Sequence, residues 1–157
     1  MTTATVRTFT IVSAEAMETL GRTLATALPS GCYLSLDGPL AAGKTTFARG
    51  FIRALGHSGA VKSPTFTLVE TYALEPVTVH HFDLYRLSDP GELEFIGIED
   101  YFDAGCTTLV EWPQRGRGVL PVADIEIEFE VAGAQRLVSL SATTGTASEI
   151  ISSLKII

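Results

Sequence analysis

Hydrophobic residues recur along the chain with two different periods, and these periods predict alternating strands and helices. Residues 6–12 can extend as a short strand, and Ser13 is placed to cap a helix whose apolar residues recur from Met17 to Leu28. Residues 32–37 are predicted as a second apolar strand. Residues 44–55 have the spacing of an amphipathic helix, which Gly56 would end.

The second half of the chain is richer in strand patterns. Residues 66–74 and 77–84 are predicted as a hairpin that turns at Glu75-Pro76, and Glu111 closes a buried strand at 106–110. The remaining elements are a short helical stretch at 92–102, a hairpin of 125–131 with 136–140, and a final helix from Ser148. We therefore expect a single α/β domain over residues 1–157, with three layers and a mixed parallel and antiparallel central sheet. The pattern does not predict the strand order.

Composition and charge reduce the number of functions that the chain can have. The chain has 157 residues, 46% of them hydrophobic, which suffices for one domain with a buried core. Lysine and arginine total 11 against 18 acidic residues, and the net charge of -7 disfavours direct binding of nucleic acid. We find neither a signal-peptide pattern nor a long apolar run, so we expect a cytoplasmic protein without a membrane segment. The alternating Glu126, Glu128 and Glu130 indicate a solvated strand face that blunts edge pairing.

The segment Gly38-Pro39-Leu40-Ala41-Ala42-Gly43-Lys44-Thr45 lies between a predicted strand and a predicted helix, which is the setting of a phosphate-binding loop. Its two glycines let successive backbone N–H groups point at one anion, and the following helix adds the positive end of its dipole. Lys44 can then reach the β and γ phosphates, and Thr45 can hold Mg²⁺. Nucleoside triphosphate binding is therefore the first functional prediction.

An enzyme with such a loop needs a second carboxylate for Mg²⁺ and a group that orients the attacking water. Glu111 stands where the metal acid belongs, although a strand-end glutamate in solvent has the same pattern. Asp83 can order the attacking water or a metal-bound water, or it can form a structural ion pair with Arg86. Ser63-Pro64-Thr65 can bring a hydroxyl to the γ-phosphate, or it can be a plain turn before a strand.

Six other positions keep two interpretations. His80 and His81 adjoin Asp83, but neighbours on a strand point to opposite faces, so both cannot enter one site, and His81 is the candidate for an outer contact. Trp112 can border the nucleotide pocket or pack in the core. Three arginines can contact phosphate or a partner, or they can be solvated: Arg115, Arg117 and Arg136.

These motifs together resemble the TsaE family, also called YjeE. The resemblance rests on order, spacing and nearly the full length of the chain, and on four segments: residues 38–50, 62–69, 81–87 and 109–113. It implies a small bacterial ATPase required for the threonylcarbamoyl modification of adenosine 37 in tRNAs that read codons beginning with A. In that family TsaE docks on the TsaB–TsaD heterodimer, TsaD carries the transfer chemistry, and ATP hydrolysis resets the complex. Contact with tRNA would be indirect, through the complex.

The resemblance also implies roles for individual residues, with ATP and Mg²⁺ as cofactors. Lys44, Glu111 and Asp83 would act in weak, partner-stimulated hydrolysis, and Thr45 and Glu111 would hold Mg²⁺. Thr65 would lie in a switch-like loop beside the nucleotide. The phosphates would be bound by Lys44 and by the loop residues Gly38, Ala41, Ala42, Gly43, Thr45 and Thr46.

The loop departs from the family pattern at two positions, where Pro39 replaces an aspartate and Ala41 replaces a glycine. Pro39 removes one backbone donor, and we expect Ala41 to avoid the positive φ that glycine tolerates. We still predict nucleotide binding, because neither change touches Gly43, Lys44 or Thr45.

Two alternatives to a partner-dependent ATPase remain at this stage. A small-molecule kinase shares the loop and the size, but the chain shows no obvious lid with a run of arginines. A passive nucleotide-bound module would use ATP only to hold its shape in an assembly. The release of phosphate without a phosphorylated acceptor distinguishes an ATPase from a kinase.

Overall fold

The computed structural model describes residues 5–75 and 77–155. Seven strands form one sheet in the order β1-β7-β6-β2-β5-β4-β3. The strands are β1 (Val6–Ile11), β2 (Tyr33–Asp37), β3 (Val69–Ala73), β4 (Thr78–Asp83), β5 (Cys106–Glu111), β6 (Ile125–Ala132) and β7 (Gln135–Ala142). The helices are α1 (Ala14–Ala27), α2 (Lys44–Ala54), α3 (Glu92–Phe95) and α4 (Gly145–Ser153), and short 3₁₀ segments span Ile98–Phe102 and Pro113–Gly116.

The sheet is parallel in its centre and antiparallel at both sides. Strands β6, β2, β5 and β4 run in the same direction, whereas β7 and β1 on one side and β3 on the other run antiparallel to their neighbours. This arrangement confirms the predicted α/β class with a mixed sheet. The two predicted hairpins supply the outer strands β3 and β7.

Two clusters of buried side chains lie on opposite faces of the sheet. The larger cluster joins α1, α2 and α4 to the face that carries Leu34, Leu36 and Leu109. The smaller one covers Tyr33, Phe82 and Val110 with α3 and the two 3₁₀ segments. We call the first side the helix-covered face. The second side is covered over β4 and β5, while the β6 glutamates remain exposed, so the third layer is partial.

Local signals set the long helices. The Ser13 hydroxyl accepts a hydrogen bond from the Ala16 N–H at 3.0 Å, so α1 begins where the capping pattern predicts. Helix α2 ends at Ala54, and Gly56 lies just beyond it with a φ of 117°. Helix α4 begins three residues before the predicted Ser148, because the Thr144 hydroxyl accepts from the Ala147 N–H and caps it.

Three further predictions need correction. Strand β3 begins at Val69 rather than residue 66, because the Leu68 N–H donates to the Pro64 carbonyl at 2.8 Å and closes a turn. The stretch 92–102 is not one helix, because Gly97 adopts a left-handed conformation between α3 and the 3₁₀ segment. Strand β6 is interior to the sheet, so its glutamates do not blunt an edge. Pro76, in the predicted turn between β3 and β4, lies outside the described residues.

The length and hydropathy of the described helices decide whether any of them can cross a membrane. Over residues 5–75 and 77–155, we find no helix with the length and apolar character needed to cross a bilayer.

Candidate nucleotide and magnesium site

Three parallel strands end in acidic residues at the same edge of the sheet. Strand β2 ends at Asp37, β4 at Asp83 and β5 at Glu111. Asp83 and Glu111 are register partners on adjacent strands, and Leu36 pairs with Glu111 on the other side. The phosphate-binding loop leaves from the same edge, immediately after Asp37. The carboxyl edge of a parallel sheet is where ligands bind in this class of fold, so the predicted acids and the loop meet where one site can form.

The loop needs Gly38 for packing and Gly43 for its backbone conformation. A Cβ on Gly38 would lie 2.6 Å from the carbonyl oxygen of Phe129, and a Cβ on Gly43 would lie 2.7 Å from the terminal methyl carbon of Met17. Gly43 also has a φ of 104°, which disfavours any other residue. It precedes α2 and provides no side-chain cap, so the first N–H groups of the helix face the loop without a local side-chain acceptor. This cradle is built for an anion.

Ala41 contradicts one sequence prediction. Its φ is 63°, although we expected alanine to avoid the left-handed region. The loop must reverse between Pro39 and Gly43, and the Ala42 N–H donates to the Pro39 carbonyl at 3.3 Å to close that turn. The surrounding loop therefore imposes the conformation, at a cost of about 1–2 kcal/mol for a residue with a Cβ.

Lys44 is almost completely buried at the start of α2. Its Nζ donates to the Gly38 carbonyl at 2.5 Å and lies 3.6 Å from the ring centroid of Trp112. Burial lowers the pKa of the Lys44 ammonium, while the negative charges of Glu111 and Asp83 act in the opposite direction. The ammonium therefore lacks full compensation for its lost hydration, and a phosphate beside it would supply the missing negative charge.

Thr45 and Glu111 meet directly. The Thr45 hydroxyl lies 3.1 Å and 3.3 Å from the two carboxylate oxygens of Glu111. Glu111 is 2% exposed, so it is not the strand-end glutamate in solvent that the sequence also allowed. Hydroxyl and carboxylate oxygens are the hard ligands that Mg²⁺ prefers, usually together with substrate phosphates. The donor set beside the anion cradle therefore fits a magnesium ion.

Asp83 lies at the end of β4 and is also buried. One of its oxygens accepts hydrogen bonds from Ser63 at 2.5 Å and from Thr65 at 2.9 Å, and the other accepts from the Tyr85 N–H at 3.0 Å. The guanidinium of Arg86 instead lies 4.2 Å from the ring centroid of Phe66. These contacts favour a site role over the ion pair with Arg86, because they tie the switch-like loop to the acid beside Glu111.

These side chains line one cavity of about 380 Å³. Trp112 forms part of its wall, with a φ of 58°, and packs against Tyr85 with ring centroids 5.0 Å apart. The left-handed backbone of Trp112 turns its ring toward Lys44, which supports the nucleotide-pocket interpretation of this residue. The cavity brings together the predicted residues Ala41, Gly43, Lys44, Thr45, Thr46, Thr65, Asp83 and Glu111.

A second cavity, of about 190 Å³, lies on the other side of the loop. Ala41, Ala42, Gly43 and Thr46 contribute to its wall, and the Arg136 guanidinium donates to the Ala41 carbonyl at 3.4 Å. Its apolar wall comes from the junction of β1 and α1, at Ile11, Ala14 and Met17. The loop therefore separates this smaller cavity from the larger one that Lys44, Asp83 and Glu111 line.

Sequence reasoning missed part of this arrangement. The pattern allowed a hydroxyl of Ser63-Pro64-Thr65 to reach the γ-phosphate, but it did not predict that the hydroxyls of Ser63 and Thr65 both contact Asp83. The apolar wall at Ile11 and Met17 carries no chemical signal in the sequence, because only the strand order places β1 near the loop. Two arginines whose roles the sequence did not decide lie apart from the loop. Arg115 lies near the Tyr85 ring, and Arg117 lines a cavity on the open side of the sheet, where the β6 glutamates are exposed.

Known proteins of one family are similar to this chain. The family model of the threonylcarbamoyl adenosine biosynthesis protein TsaE matches residues 11–138. The chain is 50% identical over 117 residues to the tRNA threonylcarbamoyladenosine biosynthesis protein TsaE of Haemophilus influenzae, covering 74% of each chain. It is 40% identical over 112 residues to the protein of the same name from Synechocystis, covering 68% of this chain and 70% of the relative.

A solved structure shows the same fold. The crystal structure of YdiB from Bacillus subtilis superposes with a TM-score of 0.83 at 26% identity and covers 97% of this chain and 95% of the other. By the extent of the family match and by its identity to curated relatives, the chain belongs to the TsaE family of threonylcarbamoyl adenosine biosynthesis proteins.

Proposed function

We propose that the chain binds ATP with Mg²⁺ and hydrolyses it as a partner-dependent subunit in the threonylcarbamoyl modification of adenosine 37 in tRNA. The observation that carries the proposal is the contact between the Thr45 hydroxyl and the buried Glu111 carboxylate, directly beside the phosphate-binding loop. A loop that bound phosphate only for structure would not need a buried acid at this position, because removing a carboxylate from water carries a desolvation cost.

The phosphate chain would lie along the loop. Lys44 and the N–H groups of the loop and of the first turn of α2 would bind the β and γ phosphates. Binding would require the Lys44 ammonium to exchange its contact with the Gly38 carbonyl for a phosphate oxygen. The lowered pKa of Lys44 supports this step, because the buried ammonium gains from a nearby negative charge.

Thr45 and Glu111 would hold Mg²⁺ on the γ-phosphate side of the loop. When bound, the ion would neutralise charge on the phosphates as the γ-phosphoryl group passes to water and ADP leaves. Asp83 would orient the attacking water, because it lies on the strand next to Glu111 in the same cavity. Ser63 and Thr65 would respond to the presence or absence of the γ-phosphate, because their hydroxyls are hydrogen-bonded to Asp83.

The base would enter the smaller cavity on the other side of the loop. Thr46 lines both cavities, so a nucleotide whose phosphates occupy one can place its base in the other. The apolar wall at Ile11 and Met17 suits a flat purine ring.

The partner would be the TsaB–TsaD heterodimer, in the cytoplasm. The net charge of -7 supports this arrangement, because a chain with this charge is poorly suited to bind tRNA directly. Contact with tRNA would then run through the complex.

The test is the release of phosphate from ATP by the chain alone and with TsaB–TsaD, for the native chain and for Lys44→Met. We expect slow release alone, a clear increase with the heterodimer and almost none for Lys44→Met, because Lys44 is placed to bind the phosphates. A pull-down of TsaB–TsaD in ATP and in ADP shows whether docking follows the nucleotide. ATP binding without stimulated hydrolysis would indicate a passive module, and a phosphorylated small-molecule acceptor would indicate a kinase.

A further inference from the structure

His81 occupies an unusual position for a histidine. It lies on β4, is 0% exposed, and shares the helix-covered face of the sheet with Asp83, two residues further along the strand. Its neighbour His80 points to the opposite face, where its ring packs edge-on against Tyr101 at 4.8 Å. The two adjacent histidines therefore lie on opposite faces of the sheet, and His81 points toward the site.

The His81 ring contacts Glu111 directly. Its Nε2 lies 2.7 Å from Oε2 of Glu111, within the range of short, charge-assisted hydrogen bonds. A Glu111 that holds a metal is ionised and only accepts hydrogen bonds, so His81 would be the donor in this contact, through its Nε2–H. Thr45 donates to the same carboxylate from another direction. Glu111 is therefore held by two donors from two different elements.

The other ring nitrogen of His81 points to a role beyond packing. Its Nδ1 is buried and has no hydrogen-bond partner among the described residues. Burying a polar nitrogen in this way is unfavourable, and an apolar side chain at this position would avoid it. The hydrogen bond between Nε2 and Glu111 offsets this unfavourable burial of Nδ1.

We propose that His81 is a positioning residue: its Nε2–H fixes the Glu111 carboxylate so that it can hold Mg²⁺, and it thereby sets the affinity for the metal rather than for the nucleotide. The inference rests on the proposed function of Thr45 and Glu111. When the Thr45 oxygen binds a metal, His81 remains as the donor that keeps Glu111 in place. Donors behind ligating carboxylates commonly orient them in this way.

The test compares two replacements of nearly equal length. His81→Gln keeps an N–H donor that can reach Glu111, whereas His81→Met fills similar space without a donor. His80→Gln is the matched control on the opposite face of the same strand. Calorimetry measures ADP affinity in EDTA and at increasing Mg²⁺ concentrations, with folding checked by circular dichroism. If His81→Met does not fold, His81→Asn replaces it, because the shorter amide cannot reach Glu111.

For His81→Met we expect the half-saturating Mg²⁺ concentration to rise roughly tenfold or more, with ADP affinity in EDTA unchanged. His81→Gln and His80→Gln should stay close to the native value. An increase smaller than about threefold for His81→Met, or an equal increase for His81→Gln, would overturn the positioning role. A native chain that binds no ADP under any condition would instead overturn the proposed function. A native chain that binds ADP with no response to Mg²⁺ would overturn the metal assignment and the inference with it.

Discussion

The two faces of the sheet use the same residue type in opposite ways. On the helix-covered face, Glu111 and Asp83 are buried, and hydroxyl and N–H donors bind their oxygens. On the open side, Glu126, Glu128 and Glu130 project from β6 into solvent. A carboxylate surrounded by water is screened and free to move, whereas a buried and hydrogen-bonded carboxylate keeps one orientation. The difference comes from what covers each face, and only the covered face can present an acid in a fixed position.

The covering elements explain the asymmetry. Helix α2 follows the phosphate-binding loop and packs on the face that holds Glu111, so that Lys44 and Thr45 are brought to the same edge. The segments on the other side are short and pack over β4 and β5, where they bury Phe82 and Val110. The β6 glutamates lie beyond that cover and keep their hydration.

The largest expected effect comes from exchanging one carboxylate on each face. Glu111→Gln removes the charge that would hold Mg²⁺, and we expect stimulated ATP hydrolysis to fall roughly a thousandfold, as the loss of several kcal/mol of metal stabilisation implies. Glu128→Gln is the matched control on β6 and should leave hydrolysis unchanged. Phosphate release with TsaB–TsaD measures both.

Equal losses in the two variants would contradict the comparison, because a general effect of charge does not distinguish the faces. No loss in either would leave Glu111 as a structural acid that braces Thr45. Thermal unfolding of both variants separates a catalytic loss from a folding defect.

A smaller loss is expected at the second buried acid. Asp83→Asn keeps the shape of the side chain but weakens its hold on the attacking water, so we expect hydrolysis to fall on the order of a hundredfold. Nucleotide affinity should hardly change, because in the proposed mechanism Asp83 would act on the attacking water rather than on the phosphates. Glu130→Gln on the open side serves as the control. A loss of affinity as large as the loss of rate would show that Asp83 instead shapes the pocket.

Sequence reasoning predicted the parts of the site that depend on local spacing. The loop from Gly38 to Thr45 with α2 behind it follows from a strand, two glycines and a helical period, and the structure has this order. The acids Asp83 and Glu111 were predictable as strand ends. Their proximity depends on which strands are neighbours, and the pairing of β4 with β5 is a long-range property.

The errors have two origins. Glu126 and its neighbours alternate as an edge strand would, but β2 and β7 pair on either side of β6, and this pairing is a long-range property. Residues 66–68 have strand-like composition, yet the local turn closed by Pro64 and Leu68 takes precedence. Ala41 adopts a positive φ because the local turn of the loop outweighs its intrinsic preference.

The smallest expected effect concerns His80, whose neighbour His81 points to the other face of the sheet. Its ring lies on the side of the sheet opposite the site, with Nδ1 2.9 Å from the Thr71 hydroxyl. Burial lowers the pKa of His80 from its ordinary value of 6.5. The folded chain therefore favours the neutral ring, and the stability from this preference is present above pH 6.5 and lost as the pH falls through the lower folded pKa.

Replacing His80 with phenylalanine isolates this contribution, because the ring packing on Tyr101 is kept while the titrating group is removed. Urea unfolding at about pH 7.5 and about pH 5.5 should show that the native chain loses more stability on acidification than His80→Phe does. The other titrating groups are shared by the two proteins, so a difference in how much stability they lose on acidification comes from His80. An equal loss of stability in both would mean that the His80 ring is hydrated in solution. The second face would then be open at β4 as well as at β6, and the contrast between the faces would be larger than the structure shows.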